Sequence, residues 1–369
     1  MKIGIKDSEK IFRILYIVIM LVIVVSAVML ILEASVENSN IVSVGCIFAG
    51  SVTEDGRDKD ECESVSGVCR DLGISITVLD KVSSDKNSTL QAVKALSDSR
   101  CSMVFFESAV HAAYAKEISA RFPKIAFFVR DPKYISENVS YFGEREYQER
   151  FLSGIIAGRC TKTGVLGFVA PAPDNEVNLA VNAFTAGVKR VNSGANVLVR
   201  FISSGYQLSG EYDAVKYLTG KNADIISYHS TCPDVAEACE ETGTDFIGAD
   251  IAVPSSYSHL LLNIGRNSYR IYENTVQNGM NINDREFSPF WIGIPENALS
   301  MDNISSRIPE EALSEAEKAR NEIVSGRDVF SGYIRDEKGH VRCEDDETLS
   351  DRILLTDMYW LIEGVVSDG

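Results

Sequence analysis

The sequence predicts an α/β protein of two lobes, each built on a parallel sheet, preceded by one N-terminal transmembrane helix. Three observations lead there. Short, nearly continuous apolar runs alternate with amphipathic stretches; the alternation runs through the chain twice; and a long apolar run stands near the N-terminus. Apolar runs of that length suit strands covered on both faces, and strands alternating with helices imply right-handed βαβ units. A chain of 369 residues is too long for one small core, so two such runs imply two lobes.

Residues 14–32 are apolar apart from Ser26. At ~1.5 Å rise per residue the run nearly spans a hydrocarbon layer of ~30 Å. Lys2, Lys6, Lys10 and Arg13 precede it and Glu33 and Glu37 follow. The positive-inside rule keeps 1–13 in the cytoplasm and puts the remainder outside the cell membrane. A cleaved signal peptide is the competing reading; it calls for a shorter apolar core and a small-residue cleavage site, and no good site follows. The expectation is a signal anchor at 14–32 and a polar tether at 33–40.

The first lobe is expected over 41–160. Residues 41–49 form an apolar strand, and 58–72 a helix with Cys62, Val65, Cys69 and Leu72 inward. Strand 74–82, helix 88–96 (Asn87 or Ser88 at its cap), strand 102–106, helix 109–121 and strand 125–129 follow. The second lobe is expected over 161–285. Strand 165–170 leads to helix 175–192, whose apolar stripe is Val177, Ala180, Val181, Phe184, Gly187, Val188 and Val191, with Asp174 or Asn175 as cap. Then come strand 197–202, helix 211–218, strand 224–228, helix 233–241, strands 246–249 and 259–264, and helix 269–278. Residues 286–369 are expected to cross between the lobes and pack on both. Within them 310–324 reads as a charged amphipathic helix, and 329–333 with 341–343 as a hairpin around Asp336-Glu337-Lys338-Gly339.

Several segments in order carry a resemblance: Tyr147-Gln148, Phe151-Leu152-Ser153-Gly154-Ile155-Ile156-Ala157-Gly158, Thr163-Gly164-Val165-Leu166-Gly167-Phe168-Val169, and Asn182-Ala183-Phe184-Thr185-Ala186-Gly187. Phe246-Ile247-Gly248-Ala249-Asp250 and the closing run Met358 to Val365 extend it, so that it covers roughly 40–366. The chain resembles the basic-membrane-protein family of ABC-transporter substrate-binding proteins, which includes purine-nucleoside receptors. The resemblance implies a type I periplasmic-binding-protein fold: two Rossmann-like lobes joined by a hinge that close over a small molecule. It implies a nucleoside or related base as ligand, an ABC permease and ATPase as partners, no cofactor and no enzymatic activity. Family members often carry a lipid-modified cysteine after the apolar run; here the first cysteine is Cys46, inside a strand. Gly154 and Gly158, one turn apart, read as sites of close helix packing.

Open α/β sheets place ligands at the C-terminal ends of their strands. The candidate positions are therefore 50–57, Glu107-Ser108, 171–176, 203–206, 229–231, Asp250 and Gly265-Arg266. By resemblance the Asp250 carboxylate accepts hydrogen bonds from ligand hydroxyls such as a ribose diol; a helix cap or hinge salt bridge is the other reading. Glu107 and Ser108 would hold the opposite side of the ligand and Tyr206 would offer a face for stacking. The expected base-sandwiching aromatics are depleted: Asp55-Gly56-Arg57-Asp58 stands in the first loop, Ala109 follows Ser108, and Gly205 precedes Tyr206. Arg57 and Arg266 could hold an acidic group, stack on a flat ring, or form surface salt bridges. His229 lies near the cleft, as ligand contact or as a hydrogen-bonded structural histidine. Glu107 and Glu176 fall in cleft loops, but no nucleophile or metal set accompanies them as acid–base catalysis requires.

The formal charge of −17 argues against nucleic acid as a partner. The four histidines are scattered, and no CxxC, P-loop or GxSxG occurs. Of eight cysteines, Cys62 and Cys69 share a helix face about 10 Å apart, beyond disulfide reach, as do Cys232 and Cys239 if helical. Cys46 and Cys101, on neighbouring strands, are the one pair open to bridging. A ligand-binding sensor or interaction protein of the same fold, without transport, is the alternative function.

Overall fold

The computed structural model describes residues 16, 18–26, 42–202, 210–229, 234–248, 253, 256–279 and 289–367. Contacts divide the chain into two units, Met1–Ser43 and Val44–Gly369. In the first, Tyr16 and residues 18–26 are helical with exposed side chains. Among the described residues no helix is long and apolar enough to cross a membrane, and the rest of 14–32 lies outside them.

The second unit holds two large sheets. The first has strands β1 (Ser43–Ile47), β2 (Ser75–Leu79), β3 (Met103–Phe106), β4 (Ala126–Val129), β5 (Val139–Glu144) and β11 (Phe290–Ile292), in the order β2-β1-β3-β4-β5-β11. From β1 to β11 all neighbours pair in parallel. The sequence reason is burial on both faces: β1 and β3 are wholly buried, whereas the edge strand β2 is exposed or half-buried. Phe106, Phe127 and Val129 face one core with Val93, Leu96 and Ile118. Phe105, Phe128 and Phe142 face the other way, with Phe105 and Phe128 stacked 4.8 Å apart.

The second sheet contains β6 (Val165–Ala170), β7 (Asn196–Phe201), β8 (Ile225–Tyr228), β9 (Asp245–Gly248), β10 (Leu260–Arg266), β12 (Leu299–Asp302) and β15 (Val365–Ser367), in the order β15-β7-β6-β8-β9-β10-β12. Only β12 pairs antiparallel, against β10. Its core gathers Val169, Val215, Leu218, Ile226, Val235 and Phe246.

Helices flank the sheets: α1 (Arg57–Leu72), α2 (Lys86–Asp98), α3 (Ala109–Ala112), α4 (Ala115–Ser119), α5 (Tyr147–Cys160), α6 (Asn175–Val191), α7 (Glu211–Gly220), α8 (Asp234–Thr242), α9 (Ser268–Gly279), α10 (Glu310–Val324) and α11 (Asp351–Thr356). Asp174 caps α6, accepting from Val177 N at 2.9 Å. Asp85 rather than Asn87 or Ser88 caps α2, accepting from both their amides at 3.0 Å. The expected helix 109–121 is two short ones, α3 and α4. The expected hairpin strand 329–333 is instead β13 (Ile334–Arg335), paired with β14 (Val341–Cys343). Its turn is held by the buried Asp336, which accepts from Lys338 N and His340 N and from Arg342 Nε.

α5 and α6 pack backbone to backbone. A Cβ on Gly154 would fall on the Phe184 carbonyl oxygen, and one on Gly187 on the Phe151 carbonyl oxygen. The expected close packing at these glycines is therefore a property of this helix pair.

Cys46 and Cys101 are both free thiols. The register explains why: Cys46 lies opposite Phe105, four positions beyond Cys101. That offset is about 13 Å along the strands, beyond disulfide reach. Cys69 is in the core and Cys62 is half-buried against Ser66. Cys239 is buried on α8, while Cys232 lies outside the described residues.

The chain passes between the sheets three times. It leaves β5 through Arg145 and Glu146 into α5, which packs on α6. It returns after β10 through Asn267 into α9, which packs on α1. It crosses again from β11 to β12. The sheets therefore do not follow the contiguous spans 41–160 and 161–285: α5 joins the second half, and α9 and β11 the first. The crossings touch one another. Arg145 N donates to Ile292 O at 2.7 Å, Arg145 Nε to Trp291 O at 3.1 Å, and Asn267 N to Ala298 O at 2.8 Å.

Candidate functional site at the facing strand ends

Strand order reverses between β1 and β3 in the first sheet and between β6 and β8 in the second. Such switch points leave a crevice at the carboxyl ends of the strands. The residues just after β1, β3, β6 and β8 are therefore the ones the topology offers to a ligand.

On the first sheet, Glu107 follows β3, Arg130 follows β4 and Glu144 ends β5. Arg130 gathers them. Its Nη2 donates to Glu61 Oε2 of α1 at 2.9 Å, its Nε faces Glu107 Oε2 at 3.5 Å, and its Nη1 faces Glu144 Oε2 at 3.4 Å. Tyr272 of α9 lies 3.4 Å from Nη2, and the guanidinium stacks 4.4 Å from the Phe142 centroid. Buried ions persist only when paired and hydrogen-bonded, and this is such a set. Arg266, ending β10 of the second sheet, adds bonds to Glu61 and, at 3.3 Å, to Glu144.

The two buried acids part in their titration. For Glu61, burial raises the pKa, but Arg130 and Arg266 outweigh it and hold the carboxyl at about 2. For Glu107, burial dominates; Arg130 pulls the other way, Glu61 adds repulsion, and the carboxyl is pushed up to about 7. Glu107 Oε1 is also buried without a hydrogen-bond partner. Ser108 beside it is half-buried and begins α3 without using its hydroxyl as a cap.

On the second sheet, the segment after β6 runs through Asp174 into α6, and His229 follows β8. His229 N donates to Val169 O at 2.9 Å, continuing the ladder and fixing the ring's origin. Arg150, fully buried on α5, lies beneath: Nε to Glu146 Oε1 at 2.6 Å, Nη1 to Tyr228 O at 2.7 Å, and Nη2 to His229 Nδ1 at 3.5 Å. His229 Nε2 faces Glu176 Oε1 at 3.8 Å. The Glu176 side chain is 81% exposed. The strand ends of the two sheets meet where Arg266, ending β10, reaches Glu144, ending β5, at 3.3 Å.

The candidates from sequence thus separate. Glu107, Ser108, Glu176, His229 and Arg266 stand at the facing strand ends. Asp55 does not share the charge network: its side chain is 97% exposed and paired with Lys59 at 2.7 Å. Arg57 opens α1 on the surface, its charge acting on Glu61 only at a distance. Tyr206 and Asp250 lie outside the described residues. Trp360 of the closing motif is buried; its carbonyl accepts from Asn182 Nδ2 at 2.9 Å.

Sequence reasoning missed Glu61, Arg130, Glu144, Glu146 and Arg150. Arg130 was within reach, since it directly follows a correctly placed strand. Arg150 carried no signal, because a lone arginine in a helix is ordinarily solvated. Among the described residues no group of histidine, cysteine and acidic side chains is arranged to hold a metal ion.

Residues 41–327 match the family described as ABC transporter substrate-binding protein PnrA-like. A purine-binding protein of Brucella abortus is 23% identical over 87% of this chain and 92% of its own length. A putative ABC transporter glucose-binding protein of Haloferax volcanii is 23% identical over 62% of this chain and 56% of its own length. Among solved structures, an ABC transporter solute-binding protein from Conexibacter woesei aligns with a TM-score of 0.59 at 15% identity, over 77% of this chain and 97% of the other. That likeness fits the two parallel-strand sheets. The chain belongs to the family of PnrA-like, basic-membrane-protein-type ABC-transporter substrate-binding proteins, a family of solute binders and not of enzymes.

Proposed function

We propose that the chain is a membrane-anchored, extracytoplasmic receptor that closes its two halves over a nucleoside or related base and delivers it to an ABC permease and its ATPase. The observation that supports this reading is that Glu107 and Ser108 follow one switch point and Glu176 and His229 the other, while Arg266 at the end of β10 reaches Glu144 at the end of β5 at 3.3 Å. Asp250, two residues beyond β9 in the sequence, supplies the carboxylate for the ribose hydroxyls, and Tyr206 a face for the base. Arg266 pairs with the buried Glu61 and with Glu144 rather than lying in a surface salt bridge, tying β10 to α1 and β5. Closure is a hinge motion about the three crossings, stabilised by contacts from both halves. The purine-binding relative supports the ligand class. The glucose-binding relative favours a second reading, a sugar held through its hydroxyls by the same acids.

A thermal-shift panel on the full chain separates these readings, because a ligand that binds only the folded state raises the melting point with dose. Nucleosides are expected to raise it and Asp250→Ala to abolish that shift while remaining folded. A response to sugars alone favours the second reading, and silence to both removes the site.

A further inference from the structure

Arg150 is the largest fully buried side chain of the described residues, and its charge is costly to bury. An apolar residue would fill the same floor more cheaply, which draws attention to what its donors do. Nε is committed to Glu146 in the first crossing and Nη1 to the Tyr228 carbonyl at the end of β8. Nη2 is directed at His229 Nδ1. A guanidinium can only donate, so Nδ1 must accept and the ring proton must sit on Nε2. That nitrogen faces Glu176 Oε1 at 3.8 Å, too far for a hydrogen bond between them. Both groups reach solvent, His229 with 16% and Glu176 with 81% of its side chain. A donor and an acceptor therefore stand side by side, unjoined.

We propose that Arg150 is a positioning residue of the ligand site: it fixes His229 as an Nε2–H donor, and the His229–Glu176 pair reads a ligand edge that carries an acceptor beside an N–H, as a nucleobase edge does. The ligand half of this inference rests on the reading of the facing strand ends as the binding site; the tautomer half does not. Recognition of the base is then by its edge, which accounts for how a site with few aromatic residues in its predicted loops can still select a base. The pairing follows the general rule that adjacent donors and acceptors on a base are read by two matched protein groups.

The experiment is a long-range proton–nitrogen spectrum of the histidine rings in the ligand-free, nitrogen-15-labelled full chain at pH 8. His229 is assigned by its loss in His229→Gln. Wild type is expected to show a bare Nδ1 and a protonated Nε2. Arg150→Met is expected to mix or reverse the two forms, and Arg150→Lys, which keeps a donor, to restore the wild-type pattern. A protonated Nδ1 in wild type overturns the proposal without any variant having to fold, and an unchanged pattern in folded Arg150→Met overturns it equally. Calorimetry with inosine and 1-methylinosine then tests the edge. Inosine is expected to bind about tenfold or more tightly, since methylation removes the N–H that Glu176 accepts. Equal affinity overturns the edge readout; no binding of either, with the expected tautomer, overturns the ligand half and supports the role of Arg150 on His229.

Discussion

Arg266 and Glu61 are hydrogen-bonded across the junction of the two sheets: the guanidinium ends a strand of the second, and the carboxylate belongs to the helix that flanks the first. Glu61 is also bonded to Arg130, so one buried carboxylate serves two cations from different halves. The junction is thereby an ionic one as well as a meeting of three backbone crossings.

Glu61→Gln leaves both guanidinium groups short of an anion in a site where Arg130 is 14% exposed. Removing one partner of a buried pair typically costs about 3–5 kcal/mol. A loss of about 3 kcal/mol is expected in urea unfolding. Arg266→Met on that background should cost less than on wild type, because the shared partner is already gone. Strictly additive losses would show that the two residues are not coupled.

Glu107 gives the fold an unusual acid side. Its carboxyl is raised from 4.5 to about 7, so between those values the folded state holds a proton that the unfolded chain releases. Stability should fall as pH rises through that window, by about 3 kcal/mol, with the full cost present above pH 7. Glu61 acts oppositely: lowered to about 2, it stabilises above pH 4.5, and that contribution is lost as pH falls toward 2. Glu107→Gln should flatten the decline between pH 5 and 8 and be the more stable protein at pH 8. Unfolding midpoints at both pH values check this; an unchanged slope in the variant would assign the decline to other groups.

The α5–α6 contact should tolerate no side chain at its glycines. Gly187→Ala sets a methyl against the Phe151 carbonyl, and overpacking of this kind costs about 1–3 kcal/mol. Gly220→Ala meets open space and should be close to neutral. A Gly187→Ala protein as stable as Gly220→Ala would contradict the close approach.

The sheets were legible because parallel strands buried on both faces leave runs such as Val165–Ala170, and because the α6 stripe repeats at helical spacing. The wiring between them was harder. α9 reads as the next helix after β10, yet it packs on α1 in the other half, and nothing in its own pattern says so. Gly154 and Gly158 are legible as packing sites because a glycine pair one turn apart presents a bare helix face, and Cβ atoms there would meet the backbone of α6. The site was half legible. Glu107, Ser108, Glu176, His229 and Arg266 follow from the rule that strand ends meet ligands, and Arg130 falls under the same rule. Glu61 and Arg150 sit within helices, and their roles arise only from partners distant in sequence, which periodicity does not report. Asp55, in the loop after β1, and Arg57, the first residue of α1, are both exposed and stand apart from the charge network.

The most direct measurement is isothermal titration of inosine into the full chain. One saturable site per chain, weakened at least about tenfold in a folded Asp250→Ala variant, is the expected result, in keeping with the strength of charge-assisted hydrogen bonds. A folded protein that gives no binding with inosine, guanosine or adenosine would contradict the nucleoside receptor proposed here.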